Sequence, residues 1–573
     1  MRLRFLLFIV LASPAFCGST SAQVPTRADS LRGSLSPERT WWNVLRYDLA
    51  IAPNYEERRI AGVQKITFEV VDTVRLMQID LQQPMQIAKA SHEGQAIIWT
   101  SEGNAHFLEI PRGLMPGDTA RVEIHFEGKP REARNPPWDG GWIWTRDRMG
   151  RPWMTVACQG IGASVWYPCK DHQSDKADHG ASLSITVPDS LVAVANGRLM
   201  EVQEVDEGMR GYAWQVSNPI STYNLVPYIG HYSHWSEAFE GEGGALRLDY
   251  FVLDYEMDTA RQHFSQVNRM LACFEEYFGP YPFYEDGYKL VQAPHLGMEH
   301  QSAIAYGNRF GNGYRGLDLS ATGWGLKWDF IIVHESGHEW FGNSITASDI
   351  ADLWVHEAFT SYSEVLYVAC NYGEEAADEY AIGTRRSILN DRPIAGELHI
   401  HQKGSNDMYH KGSNMLHTIR QLPGADTLFL AMLHDMNRRY RHSVVSGREV
   451  EAYMQEFLGL DLEKVFDQYL RSADVPALEY SLYRDSLYYR WTNCVPDFDM
   501  PLRLKNGKWL EPKTHWQRKA WAIDEWAPLE IDPNFYVLHR QHISPPPGEA
   551  SELDSSPKQR TPKDVRGEGR KSE

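Results

Sequence analysis

His334 and His338 stand four apart in His334-Glu335-Ser336-Gly337-His338. In a helix of about 3.6 residues per turn, that spacing puts both imidazoles on one face, so two ring nitrogens can reach a single cation. A hydrolytic zinc site needs three protein ligands, an open position for water and a nearby base that does not coordinate the metal. Glu335 is placed to be the base. Glu357, 19 positions beyond His338, completes the ligand set. It lies in Trp354-Val355-His356-Glu357-Ala358-Phe359, whose aromatic and helix-compatible residues predict a second packed helix. The short motif alone is weak in a long chain. Its setting strengthens it: Phe330 to Val333 lead in and Trp340-Phe341 follow, so the helix is expected to be buried, where unpaired histidine and glutamate are costly.

Two further runs occur in a fixed order around this one. Gly297-Met298-Glu299-His300 precedes it and Tyr409-His410-Lys411-Gly412 follows it. With these motifs in this order, the sequence resembles the aminopeptidase N and leukotriene hydrolase family of zinc metallopeptidases (the gluzincin aminopeptidases), from about Tyr47 to about Tyr480. The resemblance implies one zinc ion per chain on His334, His338 and Glu357, with Glu335 as general base. It also implies Tyr409 as the hydroxyl donor to the transition state, and peptides with a free N-terminus as substrates. Glu299 matches the family's amine anchor, within a Gly297-Met298-Glu299-His300 segment that lines the substrate. Physically, a buried carboxylate near the metal pairs with an α-ammonium, and one left unpaired is penalised by about 3–5 kcal/mol.

Several positions stay open. By analogy with the family, Gln159 lines the first side-chain pocket; alternatively it satisfies loop backbone. Glu364, seven positions after Glu357 and so on the same helical face, either orients a ligating imidazole or is a solvent-exposed helix residue. His300 and His356 stand where the family usually has asparagine. Both are expected to be structural rather than ligands, and a charge change of His300 near about pH 6–7 is expected to make activity more pH-dependent. A thermolysin-type endopeptidase would need no amine anchor, which Glu299 argues against. A catalytically silent peptide-binding protein could have discarded ligands or base, yet all are present. Nothing in the pattern sets an oligomeric state or an epoxide hydrolase activity.

The elements that must position these residues read as α+β and multidomain. Arg2 and Arg4 precede the apolar run Phe5 to Ala12, the layout of a secretory signal, with a small-residue cleavage site at Thr20-Ser21-Ala22. Export to the periplasm or outside the cell is therefore expected, with a lipoprotein reading of Cys17 disfavoured by Phe16 and Pro14. Residues 23–40 read as a linker. Residues 41–236 alternate polar and apolar in short runs, as in Gln64 to Val70 and Ala120 to Phe126, predicting a β-sandwich-like domain. Residues 237–476 mix helices with the strand Tyr288 to Ala293, an α+β catalytic domain that the resemblance implies is thermolysin-like. One helix is predicted from Asp258 to Phe278 and another from Glu449 to Leu470. Residues 477–543 read as a small β-domain in place of the extended helical domain of larger family members, and 544–573 as a disordered Pro-rich tail.

Composition excludes some partners. A net charge of -19 argues against nucleic-acid and anionic-membrane surfaces. No segment after the signal reaches the ~18 apolar residues of a spanning helix, so stable membrane insertion is not expected. The five remaining cysteines are too scattered for a disulfide scaffold and are expected to be buried thiols, with a Cys158–Cys169 bridge as the alternative.

Overall fold

The computed structural model describes residues 26–543 apart from 74, 112 and 522–528. The signal-like run, Cys17 and the Pro-rich tail lie outside the described residues.

Alternation of apolar and polar residues makes Trp42–Asn54 and Arg59–Val70 a long antiparallel pair near the middle of an eight-stranded sheet. Trp42–Asn54 also runs parallel to Ala181–Pro188 on its other side. Three- and four-stranded sheets complete this β-rich domain, and their inner faces share one core with the large sheet. Trp41, Trp42, Trp142 and Trp166 are among its fully buried side chains. Each such indole removes on the order of 200 Å² from water, an upper figure of about 5 kcal/mol. Packing of this kind needs no covalent brace: Cys158 and Cys169 are free, buried thiols. Cys273 is also buried, but Cys370 is exposed and Cys494 half-buried, a correction to the expectation of buried thiols throughout.

The α+β domain begins with a five-stranded sheet that carries Tyr232–Gly241, Gly244–Leu253, Tyr288–Gln292, Ile304–Tyr306 and, at its edge, Gly297–Met298. Helices follow. The helix predicted from Asp258 is two, Met257–Phe264 and Gln266–Phe278, and the second stops at Gly279, whose φ of 81° is one a side chain would resist. The helix predicted from Glu449 likewise breaks at Gly459 into Gly447–Leu458 and Glu463–Arg471, because φ there is 65°. Phe330–Gly337 packs on Trp354–Tyr372, which is buried along nearly its whole length and packs in turn on His410–Arg420. A four-stranded sheet containing Ala477–Tyr483 and Ser486–Thr492 ends the described chain. Among the described residues no helix is long and apolar enough to cross a membrane.

The two large domains meet beside the motif helix. Lys176 of the β-rich domain is buried and its Nζ donates to the Asn343 carbonyl, and at 3.1 and 3.0 Å to the Ser344 carbonyl and Thr346 Oγ1. The loop that follows His338 is thereby tied to the neighbouring domain.

Candidate metal centre

The motif helix is short. It starts at Asp329, whose carboxylate caps it by accepting from the Ile331 and Ile332 N–H groups at 2.9 and 3.3 Å, and it runs only from Phe330 to Gly337. Asp329 is itself fixed, accepting from Tyr306 Oη and, through His263 Nε2, at 2.7 Å each. His338 occupies the C-cap but keeps helical backbone angles, so it still lies over His334, with ring centroids 4.9 Å apart. Glu357, in the first turn of Trp354–Tyr372, faces both rings.

Both imidazoles are oriented from behind. His334 Nδ1 donates to Glu364 Oε1 at 2.7 Å, and His338 Nδ1 to the Phe341 carbonyl at 3.0 Å. Each Nε2 is therefore aimed at the same point, its lone pair open to a metal in the neutral ring. Glu357 Oε2 reaches that point too, 3.8 Å from His334 Nε2 and 3.4 Å from His338 Nε2, and it is buried with no hydrogen-bond partner. One ligand atom from each of the three lies within 4.8 Å of the others, all buried. A buried carboxylate oxygen without a partner, opposed by two oriented nitrogen lone pairs, fits one zinc ion.

The charge balance fits as well. Glu299, Glu335, Glu357 and Glu364 are all buried around two imidazoles. Burial disfavours charge on His338, yet Glu357, Glu299 and Glu335 override it and lift the ring to about 10. Burial pushes Glu335 up to about 7 against the pull of His334 and His338. A dication at the shared point compensates the same excess of negative charge.

Glu364 is 1% exposed, which removes the reading of it as a solvated helix residue. Its second oxygen accepts from Tyr380 Oη at 2.7 Å. Replacing Glu364 by Gln should lower zinc affinity about 10- to 100-fold with little change in folding, measured by competition with a fluorescent chelator. Unchanged affinity would mean that packing alone orients His334.

Glu299 follows the edge strand Gly297–Met298 and sits beside His338 and Glu335, its carboxylate among the second set of buried atoms close enough to share an ion. Burial raises its carboxyl above the ordinary range. Oε1 accepts from Gln159 Nε2 and, at 3.2 Å, from Tyr223 Oη. Gln159 is thus turned toward Glu299 and not to loop backbone. Gly297 is required where it stands: a Cβ would lie 2.6 Å from Glu335 Oε1 and 2.9 Å from Ile331 Cγ2. Met298 is buried in the same strand. Tyr409, at the start of His410–Arg420, stacks near His334 with centroids 6.0 Å apart. Burial first, then Glu357, Glu299 and Glu335, hold its phenol well above the usual range, so it stays a hydrogen-bond donor.

The two unusual histidines are structural in position. His300 is fully buried, and since Tyr228 Oη donates to the Ala303 carbonyl at 2.7 Å, it is His300 Nδ1–H that donates to Tyr228 at 2.7 Å. Burial, with His295 nearby, holds its pKa well below the ordinary value. The expected charge change near about pH 6–7 is thus corrected: the ring remains neutral through that range. His356 accepts from the Ala347 N–H at 2.8 Å through Nε2, and burial lowers it to about 3.

Sequence reasoning missed Tyr223, Asn343 and Tyr380. Asn343 donates to the main-chain carbonyl of Glu299 at 2.8 Å and accepts from Asn224 Nδ2 at 2.7 Å. Its signal was available as the single amide closing Trp340-Phe341-Gly342-Asn343, an otherwise apolar run. Tyr223 and Tyr380 come from distant segments with no local mark.

Fold and site together define a candidate zinc centre of the two-histidine, one-glutamate class. Residues 43–224 match the Peptidase M1 N-terminal domain and residues 262–469 the Peptidase family M1 domain, and the chain belongs to peptidase family M1. It is 23% identical over 452 residues to endoplasmic reticulum aminopeptidase 1 of Homo sapiens, covering 74% of this chain and 46% of that protein. It is 22% identical over 450 residues to leukotriene A-4 hydrolase of Xenopus laevis, covering 74% of this chain and 69% of that protein. The chain therefore spans about half the length of the first of these relatives and more of the second. In fold it is similar to the crystal structure of an M1 zinc metallopeptidase from Deinococcus radiodurans, with a TM-score of 0.62 and 23% identity, covering 76% of this chain and 95% of that one.

Proposed function

We propose that this protein is an exported zinc aminopeptidase that hydrolyses the N-terminal peptide bond of peptides. The observation that carries the reading is Glu299: a buried carboxylate beside His338 and Glu335, to which, among the described residues, only the side chains of Gln159 and Tyr223 donate. A free α-ammonium supplies the charge that neither neutral donor can. His334, His338 and Glu357 hold the metal, and Glu364 and the Phe341 carbonyl keep both rings in the ligating tautomer.

When bound, zinc supplies Lewis acidity and a water of lowered pKa. Glu335 takes the proton of the attacking water on its carboxylate and delivers it to the departing amine. Tyr409 donates its phenolic hydrogen to the oxygen on which negative charge develops. Gly297 lets the substrate strand and Glu335 approach closely.

The reading is tested with aminoacyl-arylamides and their N-acetylated forms, each with and without a chelator. Chelator-sensitive cleavage of the free-amine set alone is the expected result. Equal cleavage of both sets would favour an endopeptidase, and no cleavage by zinc-loaded protein would favour a silent binding role.

Export rests on Arg2 and Arg4 ahead of the apolar run Phe5 to Ala12. Protein recovered from the periplasm or medium should begin at Gln23. A product that keeps Met1 and stays inside the cell would sink this part.

A further inference from the structure

The edge strand gives the substrate a direction. Its chain runs from Leu296 through Gly297 and Met298 to Glu299, antiparallel to Ile304–Tyr306. On the aminopeptidase reading, on which this inference rests, the peptide's amine sits at Glu299 and its first carbonyl at the metal centre. The rest of the peptide must then continue back past Gly297 toward Leu296 and His295.

Those two residues line a cleft of about 830 Å³ between the two large domains. On one side is the hairpin of Gly141–Arg146 and Pro152–Ala157, with Arg146 and, in its turn, Arg148. On the other is the segment 306–316, with Arg309 and Arg315. The second wall also borders the metal centre. The Gly313 N–H donates to the Trp328 carbonyl at 2.7 Å, just before the motif helix. Tyr314 packs edge-on against Phe330, with ring centroids 5.3 Å apart, and Phe330 stacks on His334 at 5.0 Å.

The cleft has a surplus of positive charge in a chain whose net charge is -19. Two acids line it, but Asp147 is taken by Arg151 at 2.8 Å and Glu256 by Arg148 at 3.2 Å. Arg309 and Arg315 are exposed, and neither side chain has an ion pair or hydrogen bond among the described residues. Their segment holds three non-glycine residues at positive φ, Arg309 at 56°, Phe310 at 53° and Arg315 at 55°. Left-handed backbone costs about 1–2 kcal/mol per such residue and persists only where surrounding structure enforces it.

We propose that this cleft binds the downstream part of the peptide substrate and selects a carboxylate there. Guanidinium forks match that group in shape as well as in charge. The carboxylate has two sources, the free C-terminus of a short peptide and the side chain of a downstream Asp or Glu.

The test uses leucyl peptides of three to six residues as C-terminal acids and as amides, and amidated peptides with Glu or Gln at the third to fifth positions. Each is measured with zinc-loaded enzyme and with the Arg309→Gln/Arg315→Gln double variant. The readouts are kcat/KM and, by fluorescence anisotropy, the Kd of dye-labelled peptides for the zinc-loaded Glu335→Gln protein. The enzyme should prefer the acidic partner of a pair about tenfold, less so at high salt, and the double variant should bring the ratio towards one. A preference confined to acid over amide assigns the terminal carboxylate; one that survives amidation assigns side chains. Peptides cleaved with equal constants for acidic and neutral partners would overturn the cleft and leave the aminopeptidase reading standing. A preference that persists in the double variant would overturn the assignment to these arginines. Failure to cleave any peptide would overturn the aminopeptidase reading and this inference with it.

Discussion

Glu335→Gln should lower kcat on a leucyl arylamide by roughly 10²–10⁴, while zinc stoichiometry and the melting temperature stay close to those of the unaltered protein. The substitution keeps the shape of the side chain and removes only its ability to take a proton. Glu335 is not needed to hold the ion, since His334, His338 and Glu357 supply three donors without it. Among the described residues no other protein group makes a side-chain hydrogen bond with it. Burial disfavours the Glu335 charge by more than His334 and His338 favour it, so loss of that charge should leave stability unchanged or slightly higher. Metal analysis, thermal melts and steady-state kinetics on one preparation separate the two effects. A variant that retains more than a tenth of the activity would show that another group moves the proton, and one that loses zinc would show that Glu335 belongs to the ligand set.

The ligand triad was legible because helical periodicity is local: two histidines four apart share a face whatever surrounds them. Glu357 was legible for a related reason. The helix Trp354–Tyr372 contains no Lys, Arg or Asp, and its only acids are Glu357 and Glu364. In a helix so apolar, both carboxylates must be buried and both must be answered by a partner. That inference was available for Glu364 and would have excluded a solvated position. The breaks at Ser265 and Gly459 were harder to see, because apolar spacing continues across them while the backbone does not.

The pocket around Glu299 was less legible. Its donors lie far away in the chain: Gln159 is 140 positions before it, Tyr223 is 76 before it and Asn343 is 44 after it. No period or composition encodes such meetings; they follow from docking of the β-rich domain, in which Lys176 fixes the loop carrying Asn343. The same docking makes the environment of His300. Exchange of asparagine for histidine reads in sequence as a new titratable group, but complete burial against Tyr228 removes its charge.

Because those distant donors are neutral, removing the charge of Glu299 should be felt by the substrate and not by the fold. Glu299→Gln is expected to lower kcat/KM for free-amine arylamides by about 10²–10³, the equivalent of roughly 3–4 kcal/mol for a desolvated ion pair that loses one partner. The N-acetylated forms carry no ammonium, so whatever residual cleavage they undergo at high enzyme concentration should not fall further, and the change in the ratio between the two sets is the diagnostic quantity. Gln159 Nε2 and Tyr223 Oη can both still donate to the new amide oxygen, which keeps the pocket satisfied. Glu299→Ala differs: it leaves Tyr223 buried with its hydroxyl unanswered, at a cost of about 1–3 kcal/mol to the fold as well. Comparison of the two variants therefore divides the role of the charge from that of the hydrogen bonds. If Glu299→Gln slowed both substrate sets equally, the carboxylate would be acting on the metal centre through His338 or Glu335 and not on the amine. If it slowed neither, the ammonium would be held elsewhere and the preference for free N-termini would need another source.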